Sequence, residues 1–341
     1  MLDIQSLPIN IGIFLAAAML IAIVGTRMAK VTDRLATKTG WGEAIVGAIF
    51  LGGSTSLSGI VTSVTAAAGG HPELAVSNAV GGIAAQTAFL AIADIFYRKA
   101  NLEHAAASIA NLVQGTLLIT LLSVPLLAAS SPQIDFWGIH PATVILIAAY
   151  IGGLRLIAKA KENKMWSPRE TELTDVETSS VEKDDISLIQ LWLKFALYAL
   201  LVAISGYAIA NSGLAIATAT GISESVVGGL FTAVSTSLPE LVTTIAAVRR
   251  GALTLAVGGV IGGNCFDLLL LAFSDLAYRS GSIYNAIASR QVFVMALTIL
   301  MTGTLLLGLL QRQEKGIGNI GFESFLILLL YISGVAMLFS S

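Results

Sequence analysis

The chain has 341 residues, of which 55% are hydrophobic and only 12% are charged, with a formal net charge of -2 and a mean hydropathy of +0.84. In soluble domains about a quarter of the residues are charged. This composition therefore excludes a soluble domain and indicates an integral membrane protein. The charge balance argues against nucleic acid as a partner. One cysteine and three scattered histidines rule out an intrachain disulfide and argue against a zinc site.

Ten apolar stretches are long enough to approach the roughly 20 helical residues that cross a hydrocarbon core. The first five predicted spans are 9–28, 44–68, 74–96, 105–129 and 141–157. The second five are 188–211, 225–248, 253–278, 291–310 and 322–340. We therefore expect a first five-helix region at 1–158, a polar and acidic loop at 159–187, and a second five-helix region at 188–341.

The positive residues predict how these spans are oriented, because cytoplasmic loops collect Lys and Arg. With the N-terminus outside, 17 of the 19 positive residues lie inside, and only Arg279 and Arg290 lie outside. The sequence thus predicts a multi-pass protein of the cell membrane (plasma or inner membrane) in a lipid bilayer. Both termini are expected to be external and the central loop cytoplasmic.

The chain contains an internal repeat. An offset of 181 aligns residues 39–98 with residues 220–279 without a gap, with 24 identities in 60 positions. Five spans is an odd number, so the two copies must be inverted relative to each other. We therefore predict an all-helical membrane protein of ten transmembrane helices in two inverted five-helix repeats, an architecture of transporters that bind their substrate near the bilayer midplane.

Two acidic residues, Glu240 and Asp267, lie near the middle of the seventh and eighth spans. Ionisable residues at that depth are costly and indicate a functional site. Pro239 should loosen the seventh helix and free backbone carbonyls beside Glu240. The nearby oxygen-bearing side chains are Thr236, Ser237 and Asn264. Hard cations such as Ca2+ and Na+ prefer all-oxygen sets of this kind, although Ser, Thr and Asn can also serve only to bond helices together.

The first repeat offers the same scaffold with less charge. Its candidate ion-binding residues are Thr55, Ser56, Asn78 and Gln86. Gly59 stands where the second repeat has Glu240, and Gln86 where it has Asp267. The predicted site therefore carries two formal negative charges, both from the second repeat.

These segments resemble the two alpha-repeats of the calcium/cation antiporter superfamily, which includes the sodium/calcium exchangers. The resemblance rests on Ser-Thr-Ser-Leu-Pro-Glu at 235–240 with Gly-Gly-Asn-Cys-Phe-Asp at 262–267, and on their counterparts at 53–59 and 81–86. It implies that Glu240 and Asp267 bind the transported cation, assisted by the polar residues named above. Gly59, Ser58, Ile83 and Gln86 depart from the family pattern.

The resemblance implies a secondary active antiporter that exchanges Ca2+ for Na+ or H+ by alternating access, rather than an enzyme. Its partners are expected to be inorganic cations, with no cofactor beyond the transported Ca2+, Na+ or H+. Loss of the first-repeat glutamate leaves two alternatives open. The site can have changed to a monovalent cation (Na+ or K+)/H+ antiporter, or to a channel-like or non-transporting relative. The presence of Pro239, Glu240 and Asp267 argues against complete loss of function.

Overall fold

A computed structural model describes residues 6–40, 45–97, 100–162, 166–169, 186–314, 316 and 320–340. Among these residues, eight helices are long and apolar enough to cross a membrane, and two bent helix pairs, each counted as one span, bring the number to ten. The first five are α1 (Leu7–Thr39), α2 (Ile45–Thr55 with Leu57–Ala68), α3 (Pro72–Ile95), α4 (Ile109–Ser130) and α5 (Pro141–Glu162). The second five are α6 (Leu188–Thr220), α7 (Glu224–Thr236 with Leu238–Arg250), α8 (Leu253–Ala277), α9 (Ser289–Gln311) and α10 (Phe322–Ser340). The ten predicted spans are confirmed.

The largest differences from the expected helix ends are in α1 and α6, which are each 33 residues long. The sequence placed their ends at residues 28 and 211. The added part of α1 is amphipathic, with Val31 and Leu35 buried against Leu191 of α6. Its polar face lowers the mean hydropathy, which is why a search for apolar stretches ends too early. The loop predicted at 159–187 begins later than expected, because residues 159–162 continue the helix α5, and most of its remaining residues lie outside the described ones.

The helices α2 and α7 are each broken in the middle. α2 bends by 64° between Thr55 and Leu57, and α7 bends by 46° between Thr236 and Leu238. Pro239 lies at the start of the second half of α7, where a missing N–H costs little. α2 has no proline at this point and bends more sharply, so the break belongs to the repeated scaffold and not to proline alone.

The centre of the molecule is formed by α3 and α8, which are the most buried of the eight unbroken spans that the structure describes. α3 is rich in Ala and Gly, and this allows very close contact with α7. A Cβ on Gly81 would lie 2.3 Å from the carbonyl oxygen of Gly229. Small residues of this kind let helices approach closely where no apolar effect drives them together.

The long helices α1 and α6 pack against each other antiparallel on the outside of this core. Phe14 and Ile21 of α1 pack with Ile209 of α6, and further along α1, Met28 packs with Val202. Contact positions with increasing residue numbers in α1 thus pair with decreasing residue numbers in α6, as in an antiparallel helix pair. Most of the surface of α6 is exposed, as expected for a helix that faces lipid.

Asp94 anchors one end of the bundle. This buried aspartate, at the end of α3, accepts hydrogen bonds from the backbone N–H groups of Leu102 (2.7 Å) and Gly321 (2.9 Å). It thereby ties the middle of the α3–α4 connection to the start of α10.

Asp275 does the same at the opposite end, near the end of α8. It accepts hydrogen bonds from the N–H groups of Ile283 (2.9 Å) and His140 (2.9 Å). Asp275, Ile283 and His140 correspond to the three residues of the first anchor at the same offset of 181. The inverted symmetry therefore extends well beyond the 60 residues that align by sequence.

Candidate functional site

A small cavity lies where the breaks of α2 and α7 meet the centres of α3 and α8. It has eleven lining residues, two of them acidic and none basic. They are Ser56, Gly59, Asn78, Ala79, Gly82, Gln86, Thr236, Ser237, Glu240, Asp267 and Leu270. Seven of the nine residues predicted from the sequence therefore share one cavity. Its charge favours a cation.

Asp267 is buried and both of its carboxylate oxygens are occupied. The hydroxyl of Ser56 donates to Oδ1, and the amide of Gln86 donates to Oδ2 at 2.6 Å. The same amide also donates to the hydroxyl of Ser237 at 3.2 Å. The Ser56–Asp267 and Ser237–Gln86 contacts are equivalent at the offset of 181, so the inverted repeat meets itself in this cavity.

Glu240 has a different environment. Its side chain is half-buried, and its Oε2 atom is buried without a hydrogen-bond partner among the described residues. An unsatisfied buried carboxylate oxygen is costly and indicates a group that binds a ligand, a proton or water. Glu240 is thus the more available of the two carboxylates.

The part of the cavity wall around Gly59 is neutral. A Cβ on Gly59 would lie 3.1 Å from Cδ2 of Leu270 and 4.0 Å from Nδ2 of Asn78. Asn78 donates to the hydroxyl of Ser63 at 2.9 Å and accepts from the hydroxyl of Thr232 at 2.7 Å. The space beside Gly59 is therefore bounded by an aliphatic and an amide side chain, and no carboxylate replaces the absent glutamate among the cavity residues.

Two predicted residues lie outside this cavity. The hydroxyl of Thr55 donates to the carbonyls of Leu51 and Gly52 in its own helix, both at 3.1 Å. The amide of Asn264 donates to the hydroxyl of Thr87 at 3.1 Å. The Thr55 hydroxyl is therefore satisfied within its own helix, as is common for Ser and Thr in helices. Asn264 bonds to a neighbouring helix through its amide N–H, whereas its Oδ1 atom is buried without a hydrogen-bond partner among the described residues.

The structure adds contacts that the sequence analysis missed. The hydroxyl of Ser58 donates to the carbonyl of Thr236 at 3.0 Å, so one carbonyl at the α7 break is occupied by α2. A Cβ on Gly25 of α1 would lie 2.5 Å from Cγ of Pro239. Gly25 lies in a π-helical turn of α1, and such turns are frequent at functional sites. The glycine and the offset of 181 were visible in the sequence, but the contact was not.

Within the described chain, no group of three or more His, Cys, Asp and Glu side chains is placed to hold a metal ion. The cavity instead combines two carboxylates with hydroxyl and amide groups. A cation there would have two carboxylates and neutral hydroxyl and amide oxygens within the cavity wall as possible ligands.

Ten helices in two inverted repeats, with broken helices at the centre, define the architecture of a secondary membrane transporter. Comparison with known proteins assigns the chain to a family. It belongs to the family described as sodium/calcium exchanger protein, which matches residues 9–157 and 190–340. This is a family of membrane cation exchangers and not of enzymes.

Individual relatives agree with this assignment. CaxA of Alkalimonas amylolytica is 28% identical over 301 residues, which cover 87% of this chain and 88% of CaxA. The crystal structure of the H+/Ca2+ exchanger CAX has a TM-score of 0.67 at 15% identity, covering 97% of this chain and 85% of that one. A structure of the sodium-calcium exchanger NCX_Mj has a TM-score of 0.58 at 23% identity, covering 97% and 99%. The two structures confirm the predicted fold.

Proposed function

We propose that the protein exchanges Ca2+ for Na+ or H+ by alternating access, with Glu240 and Asp267 as the carboxylates that bind the transported cation. One observation carries this proposal: the two acids line the same cavity at the point where two broken helices cross two buried ones. The names of the similar structures, an H+/Ca2+ exchanger and a sodium-calcium exchanger, support calcium as one of the ions.

The ligand chemistry supports a calcium ion. Ca2+ takes about 6–8 oxygen ligands. Two carboxylates balance its charge, and Ser56, Thr236 and Ser237 supply further oxygens on the cavity wall. In the counter-transport step, two monovalent ions would give the same balance. We therefore expect exchange closer to electroneutral than in a three-sodium exchanger.

The packing of α1 and α6 supports alternating access. Gly25 of α1 contacts Pro239 beside Glu240. On the other side, a Cβ on Gly206 of α6 would lie 2.8 Å from the carbonyl of Ser58, beside Gly59. Gly25 and Gly206 are equivalent at the offset of 181. The long helix pair thus rests on both helix breaks through glycines, a smooth contact across which it can slide to open one side of the cavity at a time.

A second candidate is antiport of a monovalent cation (Na+ or K+) against H+. It is favoured by the neutral wall at Gly59 and by the two donors that already occupy Asp267. Glu240 alone would then exchange one proton for one cation. A site with one available carboxylate holds a divalent ion less well, because fewer negative charges offset its dehydration.

We also infer that both termini are external and that the loop at 159–187 is cytoplasmic, in a cell membrane. The distribution of Lys and Arg supports this orientation. This orientation can be tested with single cysteines that are introduced at residue 2 or within the loop. Their labelling by a membrane-impermeant thiol reagent is then measured in intact cells.

The decisive experiment is 45Ca2+ uptake by purified protein in liposomes that are loaded with Na+ or set to an acidic interior. We expect uptake that requires the counter-ion, saturates with Ca2+ and is reduced to the level of protein-free liposomes by Glu240→Gln. Parallel measurements of Na+ and K+ flux against a proton gradient test the second candidate.

Glu224→Gln is the matched control. Glu224 lies at the start of α7, away from the cavity, where its carboxylate contacts Nδ1 of His71 at 2.7 Å. This variant should transport normally. Calcium flux that persists in Glu240→Gln contradicts the assigned site, flux without a counter-ion indicates a channel, and proton-driven Na+ or K+ flux without calcium flux establishes the second candidate.

A further inference from the structure

A tight turn connects α4 to α5. Phe136 and Ile139 exchange two backbone hydrogen bonds of 2.9 and 3.1 Å. The two residues between them, Trp137 and Gly138, both have positive φ angles, of 56° and 80°. Two left-handed residues in a two-residue loop are typical of a type I′ turn, which favours Asn, Asp and Gly.

Trp137 is a poor residue for this backbone, because bulky side chains disfavour the left-handed region. Its side chain is 101% exposed, so packing within the protein does not compensate for that strain. A strained and fully exposed aromatic residue calls for an external partner.

The second repeat supplies a comparison for this turn. At the offset of 181, Trp137 corresponds to Gly318 and Gly138 to Asn319. Glycine and asparagine are the residues that the left-handed region prefers. By sequence, the first repeat therefore has a tryptophan at the position where the second repeat has a glycine.

The turn is fixed at one end of the bundle. His140 directly follows it, and its N–H is bound to Asp275 at the end of α8. Beside the turn, Leu127 of α4 and Val144 of α5 are about two-thirds exposed, as expected for residues that face lipid. Phe136 is also about two-thirds exposed. The aromatic turn thus continues the lipid-facing surface of α4 and α5 at the level where the spans end.

We propose that the Phe136–Trp137 turn inserts into the interfacial region of the lipid bilayer and anchors the α4–α5 end of the protein there. Tryptophan is enriched at that depth, since its ring is apolar and its N–H can bond to headgroups or water. Residues 131–139 contain one charged residue, Asp135, whose Oδ1 accepts from the N–H of Gly138 at 3.3 Å. Insertion is therefore apolar, and it is independent of salt and of anionic lipid.

Fluorescence of the full-length protein in liposomes tests this anchor. Trp41, Trp166 and Trp192 are changed to Phe, which leaves Trp137 as the sole tryptophan. We expect blue-shifted emission, strong quenching by lipids brominated near the headgroup end of their chains, weaker quenching by lipids brominated near the chain ends, and little quenching by acrylamide. Neither high salt nor anionic lipid should change this pattern.

Trp137→Gly in the wild-type background is the second measurement. Because glycine suits the turn, this variant should unfold in detergent at the same or a higher temperature than the wild type, and it should lose the stabilisation that Trp137 gives in liposomes. Red-shifted emission with full acrylamide quenching overturns the proposal. Blue-shifted emission without quenching by brominated lipid also overturns it, in favour of contact with a second protein molecule.

Discussion

The two helix breaks share one backbone design but differ in charge. In α7 the break carries Pro239 and Glu240, and in α2 the equivalent positions carry Ser58 and Gly59. The breaks face the same cavity, and the bend is larger in the uncharged copy, 64° against 46°. Charge and proline are therefore not needed to form the break.

This difference separates what the scaffold requires from what the chemistry requires. The hydroxyls of Ser56 and Ser237 occupy equivalent places and bond to equivalent partners across the repeat interface. The two contacts differ in direction, because the Ser56 hydroxyl donates to the carboxylate of Asp267 whereas the Ser237 hydroxyl accepts from the amide of Gln86. The repeats supply a symmetric frame, and the second one supplies the negative charge.

The largest expected effect comes from making the second break resemble the first. Glu240→Gly should abolish cation-driven flux in liposomes, since it removes the half-buried carboxylate with a free oxygen and copies the residue found at position 59. The same measurement on Gly59→Ala is the control. The added methyl group meets only the flexible end of Leu270 at 3.1 Å, so we expect transport to survive. Transport by Glu240→Gly at the wild-type rate would mean that the asymmetry has no role in transport.

The next effect comes from making the first break resemble the second. Gly59→Glu combined with Leu270→Ala adds a third carboxylate to the cavity and makes room for it. A site with three negative charges should bind Ca2+ more tightly and should make flux depend on membrane potential, whereas the wild type should show little dependence. Leu270→Ala alone controls for the added space. Strong potential dependence in the wild type would contradict the charge count.

Much of this asymmetry could be predicted from the sequence. Glu240 and Asp267 are conspicuous, because acids in an apolar span are rare. The positions of Thr55 and Asn264 could not be predicted in the same way, since a polar residue in a helix bonds either to its own backbone, to a neighbouring helix or to a ligand. Only packing decides between these choices.

The anchors Asp94 and Asp275 show the same limit. Their symmetry was visible at the offset of 181, but their function depends on backbone N–H groups that the fold brings to them. One of these groups belongs to Gly321, far along the chain from Asp94. No local pattern announces such a contact, and both acids lie near span ends, where a charge is ordinary.

The two anchors should differ in strength, which gives a smaller effect on stability. Asp275 accepts two side-chain hydrogen bonds in addition to its backbone ones, from Ser282 at 2.7 Å and Thr143 at 2.6 Å. Bonds to a charged group are worth about 1.5–3 kcal/mol each, and an unmatched buried donor costs a similar amount. We expect Asp275→Asn to destabilise the protein by about 3 kcal/mol and Asp94→Asn by about 2 kcal/mol, measured as thermal unfolding in detergent. The reverse order would show that the anchors are not ranked by their hydrogen bonds.

The smallest expected effect is on the pH dependence of stability. It arises at the anchors, where the charge asymmetry of the two repeats is opposite to that in the cavity. Glu103, beside the Asp94 anchor, corresponds at the offset of 181 to Tyr284 beside Asp275. Glu103 is buried, and Ser324 donates to its Oε1 at 2.5 Å. Burial, reinforced by the negative charge of Asp94, raises the pKa of Glu103 from 4.5 to about 7. Here the first repeat carries the additional acid.

This shift predicts a pH dependence of stability. Between about pH 4.5 and pH 7 the folded protein retains a proton on Glu103 that the unfolded chain has released. The contribution of Glu103 to stability is therefore complete below about pH 4.5, falls as the pH rises, and levels off above about pH 7. Unfolding temperatures in detergent across this range should decline less in Glu103→Gln than in the wild type. Tyr284→Phe, the change at the equivalent position, should leave the slope unaltered. If the slope stays unchanged in Glu103→Gln, the retained proton resides on another group, and the charge asymmetry of the two repeats is confined to the cavity.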